Sequence, residues 1–143
     1  MALDPRLEPG RVIFYPCRFD PLSDKESPHY IVLSGRREVH FLYFVIKTQP
    51  SPYQKRNEEA LKHFVPIARE PDHRFLDYNS VIWCGQLYPE RIYNIAQHVK
   101  EKRNSVKGKI SNEVRRKILE KMGDDTLKLL TEDQRRDVLN YLG

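Results

Sequence analysis

Residues 29–49 read HYIVLSGRREVHFLYFVIKTQ, two apolar runs flanking a polar break at Ser34-Gly35-Arg36-Arg37. β-branched and aromatic side chains suit a pleated surface, and a short polar break favours a tight reversal, so the stretch predicts a β-hairpin. The second run, Val39 to Ile46, is almost continuously apolar, the pattern of a strand lying inside a sheet with both faces covered. A single helix fits poorly, because strong helix formers are few and Gly35 interrupts. The run stops at Lys47-Thr48-Gln49-Pro50. Polar side chains at the end of a rigid strand are a common place for binding or catalytic groups, and they also simply close strands.

Outward from this hairpin, Arg11 to Cys17 predicts a first strand, with Pro16 at an edge or a bulge. Arg18 to Pro28 is polar and broken by prolines, and reads as a long surface loop. Pro50 to Arg56 reads as a second loop, and Glu58 to Lys62 as a short helical turn or a loop. His63 to Ala68 is a short strand, and Ser80 to Cys84 is the last clear one, with Gly85 suggesting a bend. Five short strands at this spacing predict a small sheet curled into a barrel.

From Pro89 the period changes. Ile92, Ile95, Ala96 and Val99 recur at helical spacing, and Pro89 suits a first helical position, so a helix is expected over about 89–102. Ser111 reads as the cap of a helix carrying Val114, Ile118 and Met122 on one side and ending at Gly123. Thr131 to Gln134 is a capping box opening a last helix with Val138, Leu139 and Leu142 apolar. The fold class expected is therefore mostly β with C-terminal helices, α+β. One domain over 1–143 is expected, with a barrel at about 10–88 and a helical part at about 89–143.

At 143 residues, 39% hydrophobic and 31% charged, the chain is long enough for a real core and is not low-complexity. No apolar stretch approaches the roughly 20 residues of a membrane span, and no apolar segment of the signal-peptide kind follows the N-terminus. A cytoplasmic protein is expected, with Cys17 and Cys84 as free buried thiols. The five histidines lack the close spacing a Cys/His metal site needs, so neither a metal nor a cofactor is expected. The net charge of +5 is uneven: residues 100–143 hold 12 Lys and Arg against 8 Asp and Glu, concentrated in Lys100 to Lys109. Such a stretch, with Lys107 and Lys109, can steer a protein to nucleic acid, or be a solvated connection.

The order of these features resembles the MazF/PemK-like toxins. The matching pieces are the glycine and Val/Ile near the start (Gly10, Val12, Ile13), the Tyr30-to-Ser34 strand, the apolar strand ending in Thr48-Gln49, Ser80 to Leu87, and Lys107 to Val114. Together they span roughly residues 10–122. The resemblance implies a small SH3-like barrel with appended helices, usually a homodimer. It also implies a sequence-selective, metal-independent endoribonuclease neutralised by a small antitoxin protein. One family catalytic position, a Thr or Ser at a strand end, matches Thr48. The other, an arginine before the Val-Leu-Ser strand, falls at Pro28, followed by His29.

RNA cleavage by side chains alone needs a base near the 2′-hydroxyl, a donor for the phosphorane oxygens and an acid for the departing 5′-oxygen. His29, whose imidazole can both give and take a proton, is the candidate acid or base, and Thr48 the candidate hydroxyl donor. Lys25, Arg36, Arg37, Lys47 and Gln49 are the candidate RNA contacts beside the barrel, joined by Lys107 and Lys109. The alternative is a barrel of the same kind that binds nucleic acid or a protein without catalysis, and the absent arginine separates the two.

Overall fold

The structure, a computed structural model, describes residues 4–19 and 25–143. The middle of the expected Arg18–Pro28 loop, residues 20–24, lies outside the described residues.

Six strands form one antiparallel sheet: β1 Arg11–Cys17, β2 Ser27–Arg37, β3 His40–Lys47, β4 Phe64–Ile67, β5 Ser80–Arg91 and β6 Val106–Lys109. Their order is β4-β5-β3-β2-β1-β6, and the sheet is open, its outer strands β4 and β6 being unpaired with each other. The helices are α1 Pro52–Lys55, α2 Glu58–Leu61, α3 Ile92–Glu101, α4 Asn112–Met122 and α5 Glu132–Leu142. The domain is thus a small α+β unit. No helix among the described residues is long and apolar enough to cross a membrane.

Strand alternation sorts the apolar residues into two cores. Val12, Val32, Phe44 and Ile46 face one side, where α4 and α5 cover them with Val114, Ile118, Met122, Val138 and Leu142. Ile13, Tyr15, Ile31, Leu33, Tyr43 and Val45 face the other, under Ile95 and Val99 of α3. Strand β3 contributes to both cores and lies between β2 and β5, which is why it carries no polar alternation. Both cysteines are buried and free. Burial pushes the Cys17 thiol up to about 11 and raises Cys84 as well.

The hairpin reverses later than the sequence suggested. β2 runs on through Arg37, which pairs with His40, and the two-residue turn is Glu38-Val39, with Glu38 at φ 56°. Gly35 serves instead at a register shift within β2, where an added Cβ would lie 3.1 Å from Leu42. β5 likewise outruns its expected end and carries Pro89 opposite Leu42, so α3 starts only at Ile92. Beyond Trp83 this strand has lost its β4 neighbour, and a proline there removes no ladder hydrogen bond. The sixth strand, β6, lies inside the basic stretch and pairs with β1 only from Arg11 to Ile13. Pro16 therefore lies on the uncovered part of the β1 edge. The expected loop at Pro50–Arg56 contains α1, capped reciprocally by Ser51 and Gln54.

Candidate functional site

The end of the sheet where β1 and β3 finish and β2 begins carries a groove of about 470 Å³. Phe14 pairs across strands with Tyr30, and the Ile31–Val45 pairing carries the same row on to Ile46. These three line its floor, and Pro28, His29, Lys47, Thr48 and Gln49 border it. Tyr30 is held in place: its hydroxyl donates to the Phe75 carbonyl at 3.2 Å, and its ring lies 5.2 Å from that of Phe14. Phe14 is 40% exposed, so it is the ring a ligand can reach.

Lys47 is positioned by the α1 cap. Its ammonium donates to Gln54 Oε1 at 3.3 Å, and the same oxygen accepts from the Ser51 backbone N–H at 2.8 Å. Partial burial lowers the Lys47 pKa. Gln49 accepts from Lys55 at 3.1 Å. Thr48 is exposed, and no hydrogen bond engages its hydroxyl among the described residues. That leaves it free to donate to an incoming oxygen.

His29 borders the groove, yet its ring turns to the other face of the sheet. It pairs with Tyr15, whose side chain lies in the α3-side core, and its imidazole meets the Phe19 ring edge-on at 5.2 Å. Phe19 in turn contacts Tyr88, which stacks on Tyr43 at 5.5 Å. His29 Nδ1–H donates to the Ser27 carbonyl at 2.9 Å, so Nε2 is the nitrogen left to exchange a proton. Thr48 and His29 thus share one end of the sheet and are separated by its thickness.

The remaining candidates divide. Lys25 is exposed ahead of β2 and is not among the groove's lining residues. Arg36 and Arg37 do not belong to this site. The late hairpin turn puts them at the opposite end of β2, roughly 23 Å along the strand from His29 at the usual rise per residue. There Arg37 pairs with Asp137 of α5 at 3.3 Å. Lys109 pairs with Glu8 at 3.4 Å, whereas Lys107 lines a second cleft on the far side of Phe14. Of the tyrosines, Tyr15 and Tyr43 are buried, and burial raises the pKa of both hydroxyls. Tyr53 is 75% exposed and open to a ligand. Trp83 is core, against Phe64.

Two contributors escaped sequence reasoning. The Ser51-to-Gln54 cap that holds Lys47 carries a legible Ser-x-x-Gln signature, hidden by the surrounding prolines. Phe14 could have been found as the one large apolar residue of β1 out of phase with Ile13 and Tyr15. No protein-family model matches the chain, and no curated protein matches its sequence.

Proposed function

We propose that this chain is an RNA-directed toxin of the MazF/PemK-like kind, which takes a single strand of RNA in the Phe14–Thr48 groove and cleaves it with its own side chains. The observation that carries the reading is the groove itself: an exposed ring at Phe14 and an unengaged Thr48 hydroxyl at a strand end, with Lys47 at its border. A ring of this kind stacks on a base whatever the sequence, and the cation and hydroxyl suit a phosphate. In the reaction the RNA 2′-oxygen bonds to phosphorus and the bond to the 5′-oxygen breaks. One proton leaves the 2′-hydroxyl and one reaches the departing oxygen. Thr48 donates to a phosphate oxygen, while Lys47 and His29 Nε2, which alternate onto the other face at the same end of the sheet, offset charge and move the proton for a strand that bends over that end.

The reading includes a small SH3-like barrel. The antiparallel meander of β1, β2 and β3 followed by β5 and β4 supports it. It also includes a homodimer, a small antitoxin protein as partner and the cytoplasm as the place of action, to which two free thiols are suited. A second reading, a barrel that binds RNA or a protein without cutting, is favoured by the His29 ring facing away from Thr48.

The test is incubation of the purified protein with single-stranded RNA in the presence of a chelator. Fragments ending in a cyclic phosphate, and arrested growth when the protein is made without a partner, are expected. RNA that is bound but stays intact would replace the first reading by the second.

A further inference from the structure

On the far side of Phe14 the surface falls into a cleft of about 490 Å³ that shares Phe14 and Pro28 with the groove. It is built by the basic stretch. Lys102 ends α3, the turn Arg103–Ser105 delivers Ser105 to the cleft, and Lys107 sits at the register shift where β6 meets β1. His98 fixes this wall by donating from Nε2 to the Phe14 carbonyl at 3.0 Å.

Three features point to a ligand. Lys102 and Lys107 are exposed and form no ion pair among the described residues. The one acid of the cleft, Glu26, is already engaged by Arg18 at 3.2 Å. Ser105 is only 7% exposed, and its hydroxyl has no hydrogen-bond partner among the described residues, an arrangement native structures seldom leave unused. The chemistry is that of an anion with several acceptor oxygens: two cations and a hydroxyl, against one compensated carboxylate.

We propose that this cleft is a second phosphate subsite for the RNA strand that lies in the groove. Lys102 and Lys107 neutralise one phosphodiester, and Ser105 turns its hydroxyl to donate to one of its oxygens. This rests on the RNA reading above. The two sites lie at the ends of β3 and β6, three strand spacings or ~14 Å apart, with Phe14 between them as a stacking surface.

The test measures binding of a fluorescent single-stranded RNA across a salt series. Lys102→Ala/Lys107→Ala is expected to lower the salt slope by about 0.7, the value for one phosphate of a single strand. Arg37→Ala, at the far end of β2, leaves that slope unchanged. Ser105→Ala weakens binding about fivefold while thermal stability holds or rises, since it removes a hydroxyl that the fold leaves unsatisfied. If the wild type binds no RNA at low salt, the RNA reading itself falls. If it binds and the cleft variants match it in slope and affinity, the subsite alone is overturned. Inorganic phosphate that occupies the cleft without displacing RNA would assign it to free phosphate and overturn the strand subsite too.

Discussion

The Trp83 indole occupies the space that a side chain on Gly85 would need: a Cβ at that position would overlap the ring. Phe64 lies against the indole with ring centres 4.8 Å apart, and His63 meets its edge at 6.3 Å, so moving it disturbs both contacts. Gly85→Ala should therefore cost about 1–3 kcal/mol, the usual range for overfilling a packed site. Chemical denaturation checks it. In a Trp83→Leu background the same alanine should cost much less, since the two positions are in contact. A Gly85→Ala protein as stable as the wild type would contradict the packing.

Alkaline pH should unfold the protein through its thiols. Burial raises the Cys17 pKa in the folded state to about 11, and Cys84 moves the same way. An unfolded cysteine titrates near ~8.5. The stability that goes with the neutral thiols is thus complete below that pH and drains away as the pH climbs toward the folded value. Melting temperatures should be level through neutrality and fall above about pH 8.5, and Cys17→Ala should flatten that fall. A wild-type curve that rises over the same window would refute this.

Thr48→Val keeps the branched shape and removes only the hydroxyl. Thr48 is exposed, so folding should be untouched while cleavage falls on the order of 10², the loss typical of one transition-state donor. His29→Gln should cost more, because it removes proton transfer as well. Gel assays of RNA cleavage, with melting curves as control, separate the two effects. Equal activity of Thr48→Val and wild type would remove Thr48 from the site.

Arg37→Ala should do little. Its pair with Asp137 is 58% exposed on the arginine side, and surface pairs of this kind contribute less than about 1 kcal/mol. Because the hairpin tip lies far from the groove, RNA affinity and its salt slope should not change. A weaker, less salt-dependent complex would return the arginines to the interface.

The strands of the central hairpin were legible because β-branched and aromatic residues dominate them, and the last two helices because Ser111 and Thr131 are plain caps. Gly35 misled because a bulge and a turn both select glycine. Pro89 misled because its missing N–H suits a helix start as well as an unpaired strand edge. β6 was hidden in a charge run whose only apolar member is Val106, its register secured by Gly108 under the Phe75 ring. Thr48 and His29 lie at one end of the sheet, on opposite faces. Their separation onto two faces was not legible, because it depends on cross-strand register.

The uncovered stretch of β1 has one more consequence. Past Ile13 this strand has no strand neighbour on its outer side among the described residues, and bare backbone there would invite a foreign strand to dock. The Phe14 carbonyl is already occupied by His98, and two residues further on Pro16 has no N–H to offer. A second molecule therefore finds no ladder to extend along this stretch of β1. This stretch keeps an open approach for ligands made of side chains while denying one made of main chain.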